Sequence, residues 1–208
     1  MKAIFSSALF APIQYFAYLA SASEATIELY DSYSRQSYRN RYVINSATGP
    51  QALSVPVTKV SGKKILTRDV RLSYDTPWHE IHWKSIEAAY NSSPFYLFYK
   101  DGIEELFRKR WTFLKDLNEA ALTLAMDYAD LDTPISYTEA YYADYSDRED
   151  FRDIIHPKID LSINSSFKPV PYWQPFGAGK SFIPNLSVLD LIFNMGPESP
   201  LILRDSIS

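Results

Sequence analysis

Met1-Lys2-Ala3-Ile4-Phe5-Ser6-Ser7-Ala8-Leu9-Phe10-Ala11-Pro12-Ile13-Gln14-Tyr15-Phe16-Ala17-Tyr18 opens the chain, and its reading decides where the folded molecule begins. As a secretory leader ending at Ala20-Ser21-Ala22 it would be removed. As a first strand entering a Pro-x-x-Tyr turn, Pro12 to Tyr15, it belongs to the core. The residues favour the strand. Ser6-Ser7, Pro12 and Gln14 break the apolar run, Lys2 is the one basic residue before it, and Tyr15, Phe16 and Tyr18 stand where a leader carries small residues. No run approaches the length needed to cross a bilayer.

Downstream, Ile27 to Tyr30, Tyr38 to Ile44, Leu53 to Val60 and Ile65 to Leu72 are β-branched or aromatic runs. Ala47-Thr48-Gly49 and Ser61-Gly62-Lys63 separate them and predict two hairpins. If Tyr38 to Ile44 is a strand, alternation puts Arg39 and Arg41 on one face and Tyr38, Asn40 and Tyr42 on the other. The middle then reads as helix. Thr76 is placed to cap it, Pro77 takes the first helical position, and Trp78, Ile81, Ser85 and Ala88 or Ala89 recur at helical spacing up to Asn91-Ser92-Ser93-Pro94. Asp101-Gly102-Ile103-Glu104 and Asp116-Leu117-Asn118-Glu119 resemble capping boxes, and Leu117, Ala121, Leu124 and Tyr128 form an apolar stripe. Prolines punctuate 131–184, where Tyr141 to Asp150 reads as a solvated loop. Ser187-Val188-Leu189-Asp190 opens a last helix that Gly196-Pro197 closes. The expectation is one α+β domain over 1–208, with an N-terminal antiparallel or mixed sheet of hairpins, a helical middle and a C-terminal helix packed on the sheet.

Composition narrows the function classes. Of 208 residues 46% are hydrophobic and 22% charged, enough for a sizeable core and too apolar for disorder. The formal net charge of -4 opposes a general role on phosphate backbones. The absence of cysteine excludes disulfides, thiolate metal sites and cysteine nucleophiles. Sixteen tyrosines against six glycines mean many rings whose hydroxyls need partners or water.

Most chemical motifs fail on inspection. Gly177-Ala178-Gly179-Lys180-Ser181 looks like the tail of a phosphate-binding loop, but Gln174 stands where that loop needs glycine. His79 and His82, three apart, with His156 distant, lack a defined acidic partner for a metal, and a hydrogen-bonded histidine beside Trp78 and Trp83 is the plainer reading. No G-x-S-x-G surrounds a serine. The carboxylates at Glu104-Glu105 and Asp147 to Asp150 lie in capping or loop contexts. What remains is Arg35, Arg39 and Arg41 beside Gln36 and Asn40: guanidinium forks that suit a phosphate or carboxylate, or else a salt-bridged sheet surface.

The string Tyr33-Ser34-Arg35-Gln36-Ser37-Tyr38-Arg39-Asn40-Arg41, followed by Gly49 and Leu53-Ser54-Val55-Pro56-Val57, resembles the opening of the bacterial WbqC-like family. Trp78 with His82-Trp83-Lys84-Ser85, Tyr90 with Ser93-Pro94-Phe95, and Asn118 are similar to its centre. Tyr172, Gln174, Phe176, Phe182, Pro184-Asn185-Leu186-Ser187, Asp190-Leu191 and Asn194-Met195-Gly196-Pro197 are similar to its end. The resemblance implies that the Pro-x-x-Tyr segment is part of the folded domain, that the protein is cytoplasmic, and that it serves synthesis of O-antigen or other surface polysaccharide.

The expected activity is transfer of an acyl or aminoacyl group onto an amino sugar carried on a nucleotide or lipid diphosphate. Arg39 and Arg41 would grip an anionic part of the substrate, Gln36 and Asn40 would orient polar groups, and His82 would be the general base. Asn185, Ser187 and Asp190 cap a helix start, where they either hold an anion or serve as structure. No metal and no cofactor is expected. The expected partner is a small anionic or sugar substrate, with no nucleic acid and no membrane insertion, and self-association into a homo-oligomer is left open. The alternative is a non-catalytic protein that binds a sugar intermediate or partner enzyme through aromatic clusters such as Tyr141-Tyr142 and Tyr172-Trp173. A nucleic-acid reading would need Arg35, Arg39, Arg41, Lys59, Lys63 and Lys64 to form one basic stripe, against the acidic total.

Overall fold

A computed structural model describes residues 1–58, 64–163, 166–175 and 181–208. The opening run is a strand, β1 (Lys2–Ser6), with Ala3, Ile4 and Phe5 buried in succession rather than alternately. Burial on both faces is the mark of a central parallel strand. β1 pairs in parallel with β2 (Glu24–Glu28), from Lys2 opposite Glu24 to Ser6 opposite Glu28. The crossover between them is α1 (Ile13–Ser21). The Pro-x-x-Tyr segment expected as a turn is thus the first turn of a helix. Pro12, extended at φ -66 and ψ 161, stands at its N-cap, where a missing N–H costs no hydrogen bond. Ile13 to Leu19 are all buried, so α1 shows no polar stripe by which its period could be recognised.

Two later strands complete this sheet in parallel. β5 (Ile135–Tyr137) adds beside β2 and β6 (Glu149–Asp150) beside β1, giving the order β5-β2-β1-β6. Of the two expected hairpins, the one at Ala47-Thr48-Gly49 forms. β3 (Arg41–Ser46) and β4 (Gly49–Ser54) pair antiparallel, with Gly49 at φ 110 where a side chain would be strained. Ser61-Gly62-Lys63 lies outside the described residues. Its flanks meet in an isolated antiparallel bridge, Val57 to Leu72, and a 3-10 turn at Thr67–Asp69 interrupts the run expected as a strand.

The helical middle comprises α2 (Trp78–Tyr90), α3 (Tyr96–Arg108) and α4 (Leu114–Tyr128). The buried face of α2 is Trp78, His82, Ile86, Ala89 and Tyr90, while Ile81 faces outward, one step off the expected stripe. Pro77 takes the N-cap of α2 with no side-chain hydrogen bond. Asp101-Gly102-Ile103-Glu104 lies inside α3 and caps nothing. The C-terminal helix α5 (Val188–Met195) starts at Ser187, whose Oγ accepts the Leu189 N–H at 3.3 Å, and ends at Gly196. It walls two cores: Val188, Leu191 and Ile192 pack with β1, β2 and α1, while Leu189 and Phe193 pack with β3 and α2 to α4. α6 (Ser199–Asp205) closes over α1. The chain is α+β, and among the described residues no helix is long and apolar enough to cross a membrane.

Candidate functional site

From β1 the sheet grows through β2 to β5 on one side, and β6 returns to the other side of β1. The order therefore reverses between β1 and β6. In open parallel sheets the connections leaving such neighbours diverge at their carboxyl ends and leave a crevice. Here Ser6, Ser7 and Ala8 leave β1, while Phe151 and then Ile155 and His156 follow β6. Together with Tyr15 and the turn Ser37-Tyr38-Arg39 they line a hollow of about 10 Å³, room for a single water. Beneath it Phe5, Tyr15, Tyr18 and Phe151 stack, with centroids 4.6 Å apart for Phe5 and Tyr15 and 4.2 Å for Tyr18 and Phe151. Such contacts add about 0.5–1.5 kcal/mol each beyond burial and make a rigid floor.

Arg39 is the charged group of this hollow and is 8% exposed. Its Nη2 donates to Ser6 Oγ at 3.0 Å and pairs with the Asp31 carboxylate, which also accepts the Thr67 hydroxyl. Its Nε is buried with no partner. Asn118, on α4, donates through Nδ2 to Ser7 Oγ and to the Arg39 carbonyl, both at 2.9 Å, and its Oδ1 is likewise buried without a partner. Unpaired polar atoms are rare inside proteins, and two lie in one network at the strand ends. His156 Nδ1 accepts the Lys158 N–H at 3.2 Å, so the neutral ring carries its proton on Nε2. Burial lowers its pKa, and the charges of Lys158 and Arg39 act in the same direction.

Beside the hollow lies a second ionic group. Glu28 ends β2 fully buried and accepts the Tyr30 N–H, the Thr138 hydroxyl and, at 3.1 Å, Arg152 Nη1. Arg152 also donates to the Asp150 carboxylate and to the carbonyls of Tyr142 and Ala143. Its five N–H donors are all engaged. The Asp150 hydrogen bonds are the main cause of its raised pKa; for Asp150, burial pushes upward, but the side-chain and backbone hydrogen bonds from Arg152 together with its charge leave the carboxyl lowered.

The sequence-derived candidates are dispersed. Arg39 and Arg41 do not alternate along one strand, because the strand begins only at Arg41 and Arg39 belongs to the preceding turn. Arg39 turns inward and Arg41 remains half-buried. The Arg41 charge nevertheless bears on the hydroxyl of Tyr38, which lines the hollow. Gln36 is exposed in the same turn at φ 58. Asn40 clips the hairpin, its Nδ2 donating to the Val55 carbonyl at 2.8 Å. Asn185 Oδ1 accepts the Gln14 N–H at 2.8 Å and so caps α1 from the far end of the chain. Ser187 caps α5 and donates to the Phe10 carbonyl at 2.9 Å. Asp190, fully buried, accepts from the hydroxyls of Tyr90 at 2.9 Å and Tyr172 at 2.5 Å and from Gln174 Nε2 at 3.0 Å. Burial raises its pKa, and these bonds counter the rise. None of Asn185, Ser187 and Asp190 lines the hollow.

His82 sits in the helical core between the rings of Trp78 and Phe107, with Nδ1 3.0 Å from the Tyr42 hydroxyl. Burial lowers its pKa to about 4. Among the described residues no three His, Asp or Glu side chains are grouped to hold a metal ion. Gly177 to Lys180 lies outside the described residues. The sequence pattern does not single out Ser6, Ser7, Asn118 or His156 for this corner. The one signal for the serines is a pair of hydroxyls ending an otherwise apolar strand, and for Asn118 nothing in its helix points to Arg39.

A model of the WbqC-like protein family matches residues 7–157, more than half of the chain and all of the hollow's lining except Ser6. Uncharacterized protein Rv1507c of Mycobacterium tuberculosis (strain ATCC 25618 / H37Rv) is 25% identical over 215 residues, covering 91% of this chain and 91% of that protein. No solved structure matches the chain.

Proposed function

The chain belongs to the WbqC-like protein family, and from that premise we propose that it is a cytoplasmic enzyme of cell-surface polysaccharide synthesis, transferring an acyl or aminoacyl group to the amine of a phosphorylated amino sugar. The substrate's phosphate docks at the crevice between β1 and β6. The observation that carries this reading is the buried Nε of Arg39, a charged donor held without a partner at the carboxyl end of a parallel sheet. Ser7, whose oxygen accepts from Asn118, supplies a hydroxyl donor to the hollow and His156 an Nε2–H, so an anion would meet donors from three segments. A hollow of about 10 Å³ admits one terminal oxygen of the phosphate and not a ring, so the sugar stays outside. In this reading His82 is a core residue, Asn185 and Ser187 are caps, and 1–208 acts as one unit.

Calorimetry with inorganic phosphate and hexosamine 1-phosphates, whose amine is free, tests the site. Wild type binds both, and Arg39→Lys, which keeps a cation for Asp31 but lacks the Nε fork, binds about tenfold more weakly or worse. A melting curve controls for folding. Full affinity in a folded Arg39→Lys protein removes Arg39 from the site. The alternative, a non-catalytic protein holding a sugar intermediate for a partner enzyme, draws support from Leu97 and Phe98, 74% and 78% exposed on α3. Binding without acyl transfer from any donor in a panel, read by product mass, would favour it.

A further inference from the structure

The hollow is too small for a ring, so the sugar must rest outside it, and two exposed tyrosines are tied to its lining through Arg152, which accepts from Ser6 Oγ and donates to the Tyr142 carbonyl. Tyr141 and Tyr142 are 53% and 60% exposed in the segment before β6. Their backbone is pinned. Arg152 donates to the carbonyls of Tyr142 and Ala143 at 2.9 and 3.0 Å, and its remaining donors are locked on Asp150 and Glu28. The rings are supported from below as well. The Arg152 guanidinium lies 5.5 Å from the centroid of Tyr141 and 5.1 Å from that of Tyr145. Arg148 also lies 5.1 Å from Tyr145, and Tyr145 meets Tyr142 edge-on at 5.8 Å.

The shelf connects to the phosphate corner by hydrogen bonds alone. Arg39 Nη2 donates to Ser6 Oγ, Ser6 Oγ donates to the Arg152 carbonyl at 3.2 Å, and the Arg152 side chain holds the Tyr142 carbonyl. Exposed Phe98 on α3 and Trp173 have no hydrogen-bonded link of this kind to the lining of the hollow among the described residues. Exposed aromatic rings fixed in advance give up little entropy on binding, which suits them to a ring-shaped ligand rather than to a solvated loop.

We infer that Tyr141 and Tyr142 form the ring subsite of this site, stacking on the apolar C–H face of the amino sugar while its phosphate enters the Arg39 corner. The inference rests on the proposed anion site and names what lies beside it. It makes recognition bipartite: phosphate alone uses the hollow, and a hexosamine 1-phosphate gains the shelf.

The test is calorimetry, with saturation-transfer NMR on the sugar protons, using inorganic phosphate, glucosamine 1-phosphate, galactosamine 1-phosphate, the corresponding uridine diphosphate sugars and uridine diphosphate. Wild type should bind a hexosamine 1-phosphate more tightly than phosphate. Tyr141→Ala with Tyr142→Ala should weaken that sugar phosphate about tenfold or more, the scale expected when an aromatic ring is truncated at a binding surface, and leave phosphate unchanged. Tyr141→Phe with Tyr142→Phe should restore most of the affinity, and Phe98→Ala should change nothing. Unchanged sugar-phosphate affinity in the alanine pair, with phosphate still sensitive to Arg39→Lys, overturns the shelf and leaves the anion site standing. Weakening confined to the uridine compounds assigns the rings to a nucleobase and overturns it too. Wild type that binds neither phosphate nor any sugar phosphate overturns both.

Discussion

His82 shows how one residue can look catalytic in a sequence and be structural in the fold. A histidine among tryptophans on a helix has the composition of an active-site base, yet the α2 period turns it inward against Tyr42. Its pKa falls from 6.5 to about 4, so the folded state keeps it neutral where the unfolded chain already takes up a proton. The unfolded state then binds more protons, and stability must fall as pH drops below 6.5. From the two values, about 2 kcal/mol is lost by pH 5. Urea unfolding at pH 7 and pH 5 should show that loss in wild type and a much smaller one in His82→Gln, which retains a hydrogen bond to Tyr42. Arg39 differs in direction rather than in chemistry. The alternation that would aim it beside Arg41 needs a strand under both residues, and the strand starts two residues later.

At the scale of elements, legibility tracks whether an element carries its own end signals. The α5 helix was legible because Ser187 and Gly196 sit at its two ends. Gly196 holds φ 50 and ψ -122, and a Cβ there would come within 2.5 Å of the Phe95 ring. Gly196→Ala should therefore cost about 2 kcal/mol or more, from backbone strain and crowding together, read as a lowered urea midpoint. The α1 helix was not legible, since its cap comes from Asn185, 171 residues away. Asn185→Ala should leave the buried Gln14 N–H without its partner and cost about 1 kcal/mol, whereas Asn185→Asp, which keeps the acceptor, should cost less. The β6 strand is only two residues long and acidic, and its pairing with β1 is what turns the end of an exposed loop into sheet.

Across the whole molecule, the pair Glu28 and Arg152 ties β2 to the chain leaving β6 over 124 residues of sequence. Both side chains are buried, so the pair is best judged by what its breakage leaves behind. Arg152→Met strands the Glu28 carboxylate and should cost about 3–5 kcal/mol by denaturant unfolding. Adding Glu28→Gln should recover part of that, since no buried charge then remains. The same arginine pins Tyr142, so limited proteolysis of Arg152→Met should cut first within 141–147. The α+β class, the hairpin at Gly49, a helical middle and the C-terminal helix were legible in the residues, because turn chemistry and the helical period act over a few positions; the starts of the middle helices were not, since Pro77, Phe95 and Phe113 hold those positions without a side-chain cap. The parallel pairing of β1 with β2 and β6, and with it the crevice, came only with the tertiary structure. Partners in a parallel sheet are set by burial and crossover packing between distant segments, and no local pattern records which strands those will be.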